Sequence, residues 1–186
     1  MKIVYIHGFG GCGMGKKATL FKEYYKEKGK KFFAPSLSYS PKLALQTLCD
    51  FIEMNEKKVN LIGSSLGGFY ATYLANRYKL KAVLINPSTR PWETLGRYLG
   101  FAKNFCDESQ FEWKQEYLDI LKEYDVSNPI PTQFMVLLQT GDEDLDYRIA
   151  ANKFCKANVI IEEGGSHSFE GIERHFENIE NFFNES

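Results

Sequence analysis

Ser65 stands at the centre of Gly63-Ser64-Ser65-Leu66-Gly67, a G-x-S-x-G pentapeptide that directly follows the apolar run Val59–Ile62. That spacing suits a serine nucleophile lifted out of a tight strand-to-helix turn, where a glycine two residues to either side removes the Cβ atoms that would collide. A serine at a helix start also serves simply as an N-cap. What favours a nucleophile is the combination of strand, helix and both glycines. A hydroxyl attacks poorly near neutral pH without a base, and the base needs an acid to orient it. The chain has three histidines, and the order serine, acid, histidine expected of such an elbow excludes His7 and leaves His167 and His175. His167 lies in the glycine-rich stretch "EEGGSHSF", where a loop side chain can reach over a sheet end, whereas His175 in "IERHFENIE" reads as a structural histidine of a helix. The acid is sought in "QTGDEDLDYR". Asp142 is preferred there, with Asp146 and Asp144 as alternatives and Asp146 also suited to capping the next helix. The chemistry these residues could do together is acyl transfer through a covalent acyl-serine.

An acyl-serine pathway also needs donors for an oxyanion. The Leu66 N–H, at the start of the helix after Ser65, is one candidate, and the Phe9 N–H in "HGFGGCGMGKK" is the other. This glycine-rich stretch comes close to two further motifs. Gly8, Gly10 and Gly13 fit the dinucleotide fingerprint G-x-G-x-x-G, yet no Asp or Glu occurs from Lys28 to Cys49 to hold a ribose. Gly10 to Lys16 fit the nucleotide-triphosphate loop, yet Lys17 stands where a magnesium-binding Ser or Thr is required. Each near-match fails where its chemistry is specific. On the hydrolytic reading Gly8 and Gly10 keep the loop open to substrate, and Lys16 and Lys17 begin a helix as solvated residues or, alternatively, favour an anionic substrate.

Along the chain, short β-rich runs alternate with segments of helical period. Strands are expected at Lys2–Ile6, Lys31–Ala34, Val59–Ile62, Ala82–Ile85 and Phe134–Gln139, with a sixth at Asn158–Ile161; helices are expected at Lys16–Gly29, Pro41–Asn55, Leu66–Tyr78, Asp146–Ala157 and Phe169–Phe183. Most strand runs lack clean alternation, as a parallel sheet covered on both faces requires. The segment Asn86–Thr132 is too long for a plain loop, and its aromatic and leucine spacing suggests two or more short helices inserted over one end of the sheet. Trp92, Tyr98, Phe101, Phe105 and Trp113 are its candidate pocket residues, with packing of a small subdomain as the competing role for such aromatics. The expected fold class is thus α/β, one domain over residues 1–186 with a helical, lid-like insertion at 86–132.

Composition narrows the partners. With 44% apolar residues and a formal net charge of −1, no global field points to nucleic acid or an anionic membrane. The apolar run at the N-terminus is only about five residues, too short for a signal h-region or a membrane span. Cys12, Cys49, Cys106 and Cys155 are scattered without C-x-x-C spacing, which reads as reduced thiols in a cytoplasmic protein and gives no zinc site. Neither a metal nor an organic cofactor is expected.

Taken together, "YIHGF" at Tyr5–Phe9, "GSSLGGFYATYLA" at Gly63–Ala75, "INPSTRP" at Ile85–Pro91, "QTGDEDLDYR" at Gln139–Arg148 and "EGGSHSF" at Glu163–Phe169 resemble the YqiA-like small bacterial esterases of the α/β-hydrolase superfamily over nearly the whole chain. The resemblance implies a compact α/β-hydrolase fold that acts on carboxylic esters or thioesters, with Ser65 as nucleophile, His167 as base and the acid in the D-E-x-L-D stretch. Two departures stand out: "GGCGMGKK" replaces a Ser-Ser-Pro-like turn after "HGF", and Asp144 occupies a usually apolar position. The alternatives are a non-catalytic binding protein of the same fold and an acyltransferase using the same three residues.

Overall fold

Residues Ile3–Ile6, Leu61–Ser64, Ala82–Ile85 and Phe134–Gln139 are buried without interruption, so each of these runs must have cover on both faces. The computed structural model, which describes residues 2–185, supplies that cover with helices; Met1 and Ser186, the ends of the expected domain, lie outside it. In chain order the elements are β1 (Lys2–Ile6), α1 (Lys16–Glu27), β2 (Lys31–Phe33), α2 (Pro41–Met54), β3 (Val59–Ser64), α3 (Leu66–Tyr78), β4 (Ala82–Ile85) and α4 (Pro91–Thr94). They continue with β5 (Gly100–Lys103), β6 (Gln110–Trp113), α5 (Gln115–Glu123), β7 (Phe134–Gln139), α6 (Tyr147–Lys153), β8 (Asn158–Glu162) and α7 (Phe176–Asn184). Short 3₁₀ turns at Leu95–Tyr98, Pro131–Gln133 and Ile172–His175 complete the order.

Six strands form one parallel sheet in the order β2-β1-β3-β4-β7-β8. Successive side chains of a strand point to opposite faces. Ile3 and Tyr5 accordingly join Phe21 and Tyr25 of α1 and Ile179 of α7, whereas Val4 and Ile6 join Leu48 of α2 and Leu74 of α3. The strand order reverses direction between β1 and β3, which pair at Ile6 and Gly63. Such a switch point opens a crevice at the C-terminal strand ends, because the connections leaving the two strands turn to opposite faces. The "HGF" loop and Ser65 leave from that place.

The expected six strands are present, with β3 and β8 running slightly further than the sequence suggests. The segment 86–132 contains the expected short helices, α4 and α5, but is not helical throughout: between them residues 100–113 fold into an antiparallel hairpin. The reason is a period of two, with Ala102, Phe111 and Trp113 turned inward and Phe101, Lys103, Gln110 and Glu112 turned out. The inner face of the hairpin, together with Leu118 and Leu121 of α5, packs continuously onto the core over α3.

The reading of all four cysteines as reduced thiols is corrected for two of them. Cys12 and Cys106 form a disulfide across a sequence separation of 94, while Cys49 and Cys155 are free. Scattered spacing in sequence gives no sign of this pairing, because it is made by the hairpin closing onto the glycine-rich loop. Among the described residues no helix is long and apolar enough to cross a membrane.

Candidate active site

Ser65 occupies the turn from β3 into α3 with φ 55° and ψ −120°, a positive-φ conformation that a residue with a side chain adopts only when its surroundings enforce it. The close packing is visible at the neighbouring glycines. A Cβ on Gly67 would lie 2.0 Å from the Ile6 carbonyl oxygen, and one on Gly63 would lie 2.3 Å from that of Gly67. Any side chain there would push α3 away from the ends of β1 and β3. The Ser65 N–H donates to the Ile85 carbonyl and its own carbonyl accepts from Gly68 and Ser88, so the turn is tied to β4 as well as to α3.

Three groups converge from three different strand ends. The Ser65 Oγ is 3.0 Å from His167 Nε2, and His167 Nδ1 is 2.9 Å from both carboxylate oxygens of Asp142. Asp142 Oδ1 also accepts the backbone N–H groups of Asp144 and Leu145, and its side chain is 2% exposed. A carboxylate so held keeps one orientation and presents it to the imidazole. The other acids of the stretch go elsewhere. Asp144 pairs with Arg97 at 2.6 Å near the surface, and Asp146 caps α6 by accepting the Arg148 N–H. Glu143 accepts the His167 backbone N–H at 2.8 Å, which holds its carboxyl below the usual glutamate range.

The loop that carries His167 is fixed from beneath by two buried amides. Asn86, at φ 39° after β4, donates through Nδ2 to the carbonyls of Ser166 and His167 while its Oδ1 accepts the Gln139 N–H. Gln139 Oε1 in turn accepts the N–H groups of Ser166 and Glu170, and its Nε2 donates to Glu162 and to the Glu170 carbonyl. Neither residue was singled out in the sequence. The signal available was a polar side chain at the C-terminal end of an otherwise apolar buried strand, where a polar group must find a specific partner.

His7 and His175 take structural places. His7 Nδ1 pairs with the Gly8 carbonyl and its Nε2 accepts the Leu37 N–H, so it is neutral, and burial lowers its pKa further. His175 is buried in the 3₁₀ turn before α7 with Nε2 2.9 Å from Glu162.

The loop after β1 runs beside Ser65. A Cβ on Gly8 would come within 3.1 Å of the Ser65 Cβ, and Phe9 is anchored by Tyr98, Phe111 and Trp113 around its ring. Gly10 is not open to substrate as expected. It has φ +64°, its carbonyl accepts the Phe105 N–H at 2.7 Å, and a Cβ would strike the Lys103 carbonyl and the Phe105 ring. Two clefts meet at Ser65 and His167: one of about 610 Å³, lined by charged and apolar side chains alike, that reaches along α1 past Lys17, Leu20 and Glu170, and a small one of about 90 Å³ walled by Leu95, Tyr98 and Leu145. Trp92 lines neither; its ring meets Phe69 edge-on in the core beneath the insertion. Lys17 also departs from its solvated expectation, since it is half-buried and donates to the Ser168 carbonyl at 2.6 Å. Burial lowers its pKa to about 8, against the opposing pull of Asp142. Among the described residues no group of three or more His, Cys, Asp or Glu side chains is arranged to hold a metal ion.

Comparison with known proteins agrees with this architecture. Residues 2–184 match the model of a family described as "Uncharacterised protein family (UPF0227)". Relatives include the UPF0227 protein YcfP of Escherichia coli, 24% identical over 97% of both chains, and a UPF0227 protein of Shewanella woodyi, 26% identical over 90% of both. Among solved structures, Est1E from Butyrivibrio proteoclasticus with bound ferulic acid superimposes with a TM-score of 0.76 at 13% identity, over 97% of this chain and 86% of that one. A monoacylglycerol lipase from Paleococcus ferrophilus gives 0.71 at 18% identity, over 99% and 94%. Mouse alpha/beta hydrolase domain-containing protein 10 gives 0.77 at 16% identity, over 98% and 89%. The fold is that of the α/β-hydrolases.

Proposed function

We propose that this chain, which belongs to the UPF0227 family, is a serine esterase that cleaves carboxylic esters or thioesters through an acyl-Ser65 intermediate. The observation that supports this reading above others is the unbroken line of hydrogen bonds from Ser65 Oγ through His167 to the buried Asp142. Its esterase and lipase neighbours in structure are consistent with that chemistry. His167 Nε2 takes the hydroxyl proton as Oγ attacks the acyl carbonyl, and Asp142 holds the Nδ1–H tautomer and balances the imidazolium. The N–H groups of Phe9 and Leu66 receive the oxyanion, the second of them helped by the free amides at the start of α3. His167 then protonates the departing alcohol or thiol, and a water activated by the same histidine releases the acid. The insertion, residues 86–132, serves as the wall against which the substrate is held, chiefly through Leu95, Tyr98 and Phe105.

Hydrolysis of p-nitrophenyl esters from acetyl to palmitoyl, with a fluorophosphonate probe alongside, tests the reading. Wild type is expected to turn over at least the shorter esters and to label at one serine. Ser65→Ala is expected to lose label and to lose turnover by about 10⁴-fold or more. Turnover that survives Ser65→Ala, or the absence of both turnover and label in the wild type, overturns the assignment.

A further inference from the structure

One covalent bond beside Ser65 has no part in the ester chemistry. Cys12, in the turn between β1 and α1, is joined to Cys106, in the loop between β5 and β6. Both cysteines line the larger cleft together with Ser65. Phe105, adjacent to Cys106, lines both clefts and so stands between them. Phe105 is 69% exposed, so packing does little to hold it there. The hairpin itself is secured by Ala102, Phe111 and Trp113 on its inner face and by Asn104, whose side chain donates to Tyr39. Beyond Asn104, residues 105–110 are exposed. What ties this tip to the glycine-rich loop is the disulfide and the hydrogen bond from the Phe105 N–H to the Gly10 carbonyl.

We propose that Cys12–Cys106 is a thiol-redox site that sets the ester range of Ser65 by pinning Phe105 between the two clefts, an inference that rests on the esterase reading. Cys12 is 7% exposed, whereas Cys106 is exposed, so a dithiol reductant attacks the Cys106 sulfur. The S–S bond breaks and Cys12 leaves as a thiolate, the sulfur to which the Met14 N–H donates at 3.4 Å. The second thiol of the reductant then displaces Cys106, so two electrons pass to the pair, the reductant ends as a disulfide, and its two thiol protons end on the cysteines. The bonds within the tip, such as that from the Cys106 N–H to Asn104 Oδ1, remain, but one backbone hydrogen bond alone then joins it to the glycine-rich loop, and such a bond adds little net stability. Phe105 is free to leave its place, and the 90 Å³ cleft joins the larger one.

The test uses the full chain oxidised with glutathione disulfide and the same protein reduced with dithiothreitol. Maleimide mass shifts are expected to count two thiols in the first, Cys49 and Cys155, and four in the second. On reduction kcat/KM for p-nitrophenyl octanoate is expected to rise on the order of five-fold relative to that for the acetate. Phe105→Ala in the oxidised protein should reproduce that ratio, and the double variant Cys12→Ser/Cys106→Ser should show it with or without reductant. Four thiols after oxidation, or one octanoate-to-acetate ratio in both states, overturns the proposal. If neither state hydrolyses an ester or takes a phosphonate label, the esterase reading fails, and trypsin cleavage after Lys103 still decides the tether. Faster cleavage on reduction supports a pinned tip, and an unchanged rate removes it.

Discussion

Asn86 makes four hydrogen bonds, one from its backbone N–H to the Leu137 carbonyl and three through its side chain: Oδ1 accepts from the Gln139 N–H, and Nδ2 donates to the Ser166 and His167 carbonyls. Asn tolerates the left-handed region better than other non-glycine residues, and here the amide also supplies one acceptor and two donors to buried backbone. Asn86→Leu removes all three side-chain partners, and the buried Gln139 N–H so left unpaired costs about 1–3 kcal/mol. On the esterase reading a displacement of His167 by a fraction of an ångström lowers kcat by roughly 10- to 100-fold, and KM changes little because Asn86 lines neither cleft. Steady-state kinetics on p-nitrophenyl acetate check this. A KM rise with kcat intact would instead place Asn86 in substrate binding.

Two elements carry the geometry on either side of His167 and Ser65. Helix α3 approaches the end of β1 so closely that Gly67 touches the Ile6 carbonyl, and Gly67→Ala is expected to destabilise the fold by more than about 3 kcal/mol, read as a lowered urea midpoint. At the far edge β8 ends in Glu162, which joins Gln139, Arg174 and His175 beneath the His167 loop. Burial opposes its ionisation, yet hydrogen bonds from those three side chains outweigh it and hold the carboxyl at about 2, against an ordinary 4.5. A folded-state value below the unfolded one means that the stabilisation is fully present above pH 4.5 and is lost as pH falls from there toward 2. Glu162→Gln is therefore expected to flatten the loss of stability across that window, followed by circular dichroism in urea at stepped pH.

At the scale of the whole molecule the disulfide joins two segments 94 residues apart and restricts the unfolded chain accordingly. The loop-closure estimate for such a separation is roughly 4–5 kcal/mol. For a chain of this size that corresponds to a fall in Tm on the order of 10 °C on reduction, measured by calorimetry with and without dithiothreitol. The Cys12→Ser/Cys106→Ser variant is expected to melt at the reduced temperature whatever the redox conditions. Equal melting of oxidised and reduced wild type would show that the unfolded chain gains nothing from release of the link.

The sequence alone determined the strand-helix alternation, because apolar runs of strand length and helical periods are local properties, and it pointed to Ser65, His167 and the acidic stretch, because an elbow needs glycines at fixed offsets. Only the tertiary structure separated Asp142 from Asp144 and Asp146, since three carboxylates within five residues differ by where the chain turns them and not by type. It also turned part of the insertion into a hairpin, whose period of two is short enough to be lost among aromatics that equally suit a helix. The same long-range closure brought Cys12 to Cys106 and set Asn86 and Gln139 beneath the His167 loop. Such contacts join residues tens of positions apart, and no local pattern records which distant partner a buried amide or a thiol will meet.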